Sequence, residues 1–239
     1  MLKSVATDGV CRLTLARPER GNALSSDLVE ALLAAVDEAS ADQRIHTLAL
    51  DAQGKHFCTG FDLSDLEAQS DGDLLQRFVR IEALLAAIWH APMRTMAFAQ
   101  GRVWGAGADL FAVCDRRVAI GDASFRFPGA GFGLVLGTRR LAERIGVDAA
   151  RRCVIDGLTL DAQAAQEAGL AAELLPSDAG VAGIINASPA VGRETLAQLH
   201  AATRSDRRDA DLAALVRSAS LPGLKQRIID YRDRQARRR

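Results

Sequence analysis

The chain has 239 residues, 49% of them hydrophobic and 25% charged, and its thirty basic side chains balance thirty acidic ones. That composition fits a globular protein built on one large domain. The zero net charge gives no electrostatic case for nucleic acid as a partner, and no apolar run approaches the roughly 18 residues that span a bilayer, so no membrane segment is expected.

The N-terminus MLKSVATDGVCRLTLARPER has no apolar stretch of signal-peptide length. The four cysteines (Cys11, Cys58, Cys114, Cys153) form no C-x-x-C pair, and the four histidines (His46, His56, His90, His200) show no ligand spacing. This predicts free buried thiols, a reducing and hence cytoplasmic setting, and no metal site. Residues 10–16, VCRLTLA, alternate with Cys11, Leu13 and Leu15 on one face and predict a strand. RPERGNALSSD breaks it at Pro18 and Gly21. Leu28, Leu32, Ala35 and Val36 then recur at helical spacing, with Ser25 or Ser26 placed to cap. IHTLAL (45–50) predicts a buried strand, and the turn FCTGFDL (57–63) follows it.

Leu74, Leu75, Phe78, Ile81, Leu85 and Ile88 form one stripe of a long helix that Pro92 ends. MRTMAFAQ (93–100) predicts a strand, Gly101–Gly107 a glycine-rich turn, ADLFAVCD a helix and RVAI (117–120) a short strand. Beyond Leu141 the pattern is mostly helical, with Gly146 and Gly169 as helix ends and LAAELL (170–175) as a brief extended piece. Pro176 and Ser177 read as a hinge, dividing an α/β core (1–176) from a helical C-terminal region (177–239). The basic end RDRQARRR reads as a frayed, solvated helix terminus.

Two segments share a plan. Each is a strand followed by a glycine turn, ending Thr59-Gly60-Phe61 in one case and Gly105-Ala106-Gly107 in the other. Glycine admits backbone conformations that a Cβ would forbid, and the first N–H groups of a helix have no internal partner. Converging N–H groups of Phe61 and Ala106 would form an oxyanion hole, in which one donor is worth roughly 10²–10³ in rate. Tight packing explains either turn taken alone. Asp109 lies three residues after Ala106 and shares its side of the helix. It could complement the helix dipole, or move a proton beside a polarised carbonyl. GAGAD lacks the lysine of a phosphate loop, and no dinucleotide fingerprint is present.

Five stretches in order resemble the crotonase superfamily, the enoyl-CoA hydratase/isomerase family: LTLARPERGNALS, FCTGFDL, AQGRVWGAGADLFAVCDRRVA, ASFRFPGAGFGLVLGTRRLAERIG and LDAQAAQEAGLAAELLP. The resemblance implies a spiral of ββα units with a helical C-terminal part, assembled as a homotrimer or dimer of trimers. It implies lyase or isomerase chemistry on an acyl-CoA thioester, as in fatty acid metabolism, with coenzyme A arriving as part of the substrate and no other cofactor. By resemblance the carbonyl-holding N–H groups fall on Phe61 and Ala106, and the Phe61 ring lines the acyl pocket. Arg20, Ala23 and the stretch Phe61, Asp62, Leu63, Ser64 would lie along coenzyme A, and Gly105, Ala106, Pro128 and Gly129 would also bind the substrate.

Family hydratases use two glutamates. One falls on Asp109, and the other falls on Gly129, where this chain has no carboxylate. The glycine-rich segment that follows is also shortened, to GLVLGTRRL. One acid and an oxyanion hole would still serve thioester hydrolysis, decarboxylation or proton transfer, with Asp62, Asp65, Arg126, Arg139 or His90 as the second group. Trp104 would shape the pocket or pack beside it. The competing readings are a non-catalytic acyl-CoA-binding protein and a serine peptidase of the same spiral fold. The latter needs a serine that Trp104–Asp109 lacks.

Overall fold

The alternation in VCRLTL seeds the sheet: Cys11, Leu13 and Leu15 are buried while Arg12 is exposed, as a period of two requires. The computed structural model describes residues 1–237. In it this strand is β2 (Val10–Leu15), paired antiparallel with β1 (Leu2–Thr7). β1 was not anticipated, because nearly all its side chains are exposed and it carries no alternation to read. β3 (Thr47–Ala52), β4 (Arg94–Trp104) and β5 (Arg116–Arg126) add in parallel beyond β2. Two short strands, β6 (Leu160–Asp161) and β7 (Glu173–Leu175), both pair with β5.

Helices cover the sheet where the apolar stripes demand it. α1 (Ser26–Ala41) starts where the Ser25 hydroxyl accepts the Leu28 N–H at 3.3 Å, and it buries Leu28, Leu32, Ala35 and Val36. α2 (Asp71–Trp89) opens with a reciprocal Ser70–Asp73 capping box and buries Leu74, Phe78, Ile81, Leu85 and Ile88. Each such side chain contributes about 1.5–3 kcal/mol on burial, and α1 packs against α2.

The glycine turn expected from Gly101 does not begin there. β4 continues to Trp104, with a shift of register between Gln100 and Arg102. Past that shift the Arg102 N–H donates to His56 Nδ1 at 3.1 Å, and Val103 bridges Cys58. The bulge bends the strand and lays its end along Phe57–Thr59. RVAI likewise grows into an 11-residue strand, β5, whose last residues pair with this end of β4.

α3 (Ala106–Ala112), α4 (Thr138–Ile145), α5 (Val147–Ile155) and α6 (Ala162–Glu167) complete the 1–176 part. After Leu175 the named elements are helices: α7 (Val181–Asn186), α8 (Arg193–Thr203), α9 (Arg208–Ala219) and α10 (Leu224–Ala236). Within RDRQARRR, Asp233, Arg234, Ala236 and Arg237 are exposed, as a solvated helix end requires. α10 runs through Ala236 and packs on the short turn at Pro128–Phe132, where Arg234 donates to the Gly131 carbonyl at 3.2 Å and Arg227 to that of Phe132 at 2.9 Å. The last two residues of that stretch, 238 and 239, lie outside the described residues. Among the described residues no helix is long and apolar enough to cross a membrane.

Candidate active site

The two glycine turns abut. A Cβ on Gly60, whose φ is +98°, would stand 2.8 Å from the Trp104 carbonyl oxygen and 3.5 Å from the Ala106 nitrogen. Gly105, at φ +55°, donates its own N–H to the Arg126 carbonyl at 2.8 Å. Gly107 lets α3 close onto the first turn, since a Cβ there would stand 2.7 Å from Cys58 Cβ. Around these contacts the Leu24 N–H donates to the Gly60 carbonyl at 2.7 Å and the Asp62 N–H to that of Leu24 at 3.2 Å. Backbone bonds therefore hold Phe61 on both sides. Among the described residues, the N–H groups of Phe61 and Ala106 themselves donate to no protein acceptor.

Both residues line a cavity of about 570 Å³. Its wall is mainly apolar. Phe61 stacks on Phe78 at 4.4 Å between ring centres, with Arg77 over the Phe61 ring at 3.9 Å, and Phe132 meets Tyr231 of α10 edge-on at 5.5 Å. Of the residues the sequence proposes, Phe61, Leu63, Gly105, Ala106, Asp109, Pro128 and Gly129 line the cavity; so do Trp104 and Arg126. Arg20, Ala23, Asp62 and Ser64 lie outside its wall, on the loops that brace the Phe61 turn.

Asp109 is 6% exposed, and among the described residues its Oδ1 has no hydrogen-bond partner. Burial pushes its carboxyl well above the ordinary range. The neighbouring Glu82 carboxylate adds to that shift and the Arg140 guanidinium opposes it. Glu82 and Arg140 form a buried ion pair at 2.6 Å, with side chains 3% and 1% exposed. Burial raises the Glu82 carboxyl too, against the pull of Arg140. Position 129 opens on the cavity with room for a side chain: a Cβ would meet Leu134 only at 3.5 Å and beyond.

The other acids and bases proposed from sequence have partners or lie elsewhere. Burial alone would raise Asp62, but the Ser64 hydroxyl and N–H and the Arg17 guanidinium outweigh it and hold the carboxyl below its usual value. Asp62 is thus a brace, 3.0 Å from Arg17. Arg139 is paired with Asp211 at 2.6 Å and with Glu143. His90 caps α2, 3.7 Å from Asp206, and neither it nor Asp65 lines the cavity. Cys58, next to the site, has its thiol pushed up to about 12 by burial and holds no thiolate at neutral pH. Among the described residues no serine lines the cavity.

Sequence reasoning missed two contributors. Gly137 lies over the Asp109 carboxyl, in the shortened GLVLGTRRL segment. α10 supplies Ile228, Tyr231, Arg232 and Gln235 to the wall. The readable signal for α10 is the helical spacing of Leu224, Ile228, Tyr231 and Gln235; for Gly137 there is none beyond the glycine itself.

Comparison with known proteins identifies the family. The family model for enoyl-CoA hydratase/isomerase matches residues 6–221. An enoyl-CoA hydratase of Alternaria alternata, AFT6-1, is 35% identical over 164 residues, which are 68% of this chain and 54% of that protein. The chain thus spans about half the length of that relative. The Mycobacterium leprae protein echA6, described as a probable enoyl-CoA hydratase, is 37% identical over 178 residues, covering 72% of this chain and 70% of its own. A crystal structure from Bordetella parapertussis, described as that of an enoyl-CoA hydratase/isomerase, superposes with a TM-score of 0.92 at 44% identity, covering 96% of this chain and 97% of the other. With the fold, the two abutting turns and these matches in agreement, the chain belongs to the enoyl-CoA hydratase/isomerase family.

Proposed function

We propose that the protein is an acyl-CoA-processing enzyme that holds a thioester carbonyl between the N–H groups of Phe61 and Ala106 and moves a proton at the adjacent carbon with Asp109. One observation carries the reading: two backbone donors without protein acceptors meet on a cavity wall, and a carboxyl with a strongly raised pKa follows one turn of helix later. Donors fixed by backbone bonds need no reorganisation as charge develops on the carbonyl oxygen. A carboxyl whose pKa burial raises is suited to deliver a proton to the carbon of an enolate, and once ionised to remove one.

The substrate brings its own coenzyme A, and the reading needs no metal or redox cofactor. Tyr231 and α10 close the apolar side of the cavity and shield the enolate from water. The active unit is a homotrimer or dimer of trimers in the cytoplasm, which light scattering and cell fractionation would test.

Gly129 favours a second reading on the same site. With no carboxylate there to activate water, a carboxylated acyl thioester could lose CO₂ instead. The breaking C–C bond would leave its electron pair in the enolate, and Asp109 would protonate the carbon and regain its proton from solvent. Thioester hydrolysis and binding without turnover are the remaining outcomes.

The test is solvent-deuterium incorporation at the carbon beside the carbonyl of butyryl-CoA, run beside crotonyl-CoA hydration, for wild type and Asp109→Asn. Exchange that the substitution abolishes supports the proposal. Tight butyryl-CoA binding with no exchange, no hydration and no hydrolysis would make it a binding protein.

A further inference from the structure

We propose that Trp104 and Arg126 form an anion-recognising subsite of the cavity, which selects an acyl group carrying its own carboxylate. This deepens the thioester reading and rests on it. The two residues are register partners on β4 and β5, and both line the cavity. The Arg126 guanidinium carbon lies 5.9 Å from the centre of the indole ring. Trp104 Nε1 and Arg126 Nε are each closed off from solvent, and among the described residues neither has a hydrogen-bond partner.

A buried N–H left unpaired is costly, more so on a charged group, and native proteins keep few without a reason. The other arginine of the wall, Arg232, is already paired, at 3.1 Å from Glu67 and 3.0 Å from Asp233. Among the described residues no acid pairs with Arg126, while the wall around it is largely aromatic and aliphatic. Arg126 lines the cavity beside the indole, and a planar guanidinium matches the carboxylate of an acyl chain well.

The anion could come from the acyl chain or from the phosphates of coenzyme A. The position favours the acyl chain. The Arg126 carbonyl accepts the Gly105 N–H at 2.8 Å, one residue before Ala106. The subsite therefore adjoins the proposed seat of the thioester carbonyl, whereas the phosphates sit at the far end of the long pantetheine arm.

The test is calorimetric titration of the full-length protein with pairs of thioesters of equal carbon count: malonyl- and propionyl-CoA, succinyl- and butyryl-CoA, glutaryl- and pentanoyl-CoA, with free coenzyme A beside them. A hydrogen-bonded charge predicts that at least one carboxylated member binds about tenfold or more tighter than its partner. Arg126→Met should bring that ratio close to one. Arg126→Lys keeps the charge without the fork and should give an intermediate ratio, which preserves the test should the methionine variant not fold. Arg102→Met is the control: the Arg102 guanidinium carbon lies 4.8 Å from the centre of the indole ring but Arg102 does not line the cavity, and its removal should leave the ratio intact.

Ratios near one in wild type, or a ratio that survives in Arg126→Met, overturn the subsite. Equal weakening of free coenzyme A and succinyl-CoA in Arg126→Met also overturns it, in favour of a phosphate contact. Either result leaves the thioester reading standing. Failure of every thioester and of free coenzyme A to bind wild type removes that reading, and the subsite with it.

Discussion

Gly137 holds its backbone against the carboxyl group of Asp109. Its φ is +65°, and a Cβ there would stand 2.5 Å from Asp109 Cγ and 3.0 Å from Asp109 Cβ. Gly137→Ala therefore meets both the left-handed backbone penalty, about 1–2 kcal/mol, and a collision that must move the carboxyl, adding roughly 1–3 kcal/mol. We expect a lower Tm together with a loss of deuterium exchange larger than the fraction unfolded explains. Gly157→Ala is the control, with φ +67° and, among the described residues, nothing within 4 Å of the added Cβ. It should lower Tm alone. Equal exchange rates in the two variants would show that contact with Asp109 is not what matters at position 137.

The raised carboxyl of Asp109 makes a signed prediction about pH. Its folded pKa lies above its unfolded one, so the folded state holds a proton that the unfolded state has released. Stability from this group is complete below the unfolded value and falls as pH rises toward the folded one. Asp109→Asn removes the penalty. It should raise Tm more at about pH 8 than at about pH 4. A stabilisation independent of pH, or one larger in acid, would show that Asp109 ionises normally.

The Glu82–Arg140 pair lies beside Asp109 and is almost wholly buried. Arg140→Met leaves the Glu82 carboxylate without its cation and should cost about 3–5 kcal/mol in urea unfolding. The double variant Glu82→Leu with Arg140→Met should recover most of that loss, because two apolar side chains replace two desolvated charges. Arg140 also opposes the rise of Asp109. Any residual activity of Arg140→Met should therefore depend on a group titrating at higher pH than in wild type. An unshifted pH profile would uncouple Arg140 from the proton-transfer step.

Gly129 faces the cavity with space for a side chain. By the family's resemblance, a glutamate here would supply the missing second carboxylate. Gly129→Glu should raise crotonyl-CoA hydration above wild type, with a general base worth about 10²–10⁴ when well placed. Adding Asp109→Asn to that variant should abolish the gain. Stopped assays of hydration measure both. No gain in a folded Gly129→Glu protein would mean that the shortened GLVLGTRRL segment also displaces the water.

The sequence alone determined the parts of this protein that depend on neighbours in the chain. The stripes of α1 and α2, the alternation of β2 and the Ser25 cap follow from spacing, because an apolar face must find cover and a helix start must find an acceptor. The two glycine turns and the three-residue step from Ala106 to Asp109 were legible for the same reason. β1 was not, since an edge strand with exposed side chains is held by its ladder to β2 and leaves no pattern. Only the tertiary structure decided which residues meet at the cavity. It used Asp62 as a brace for Arg17, carried α10 back over the Pro128–Phe132 turn, set Gly137 on Asp109, and left Arg126 Nε and Trp104 Nε1 without partners among the described residues. Each of these depends on segments far apart in sequence. Local periodicity fixes which face of an element is apolar, while packing between distant elements fixes which polar groups are shut off from water and which are left facing the cavity.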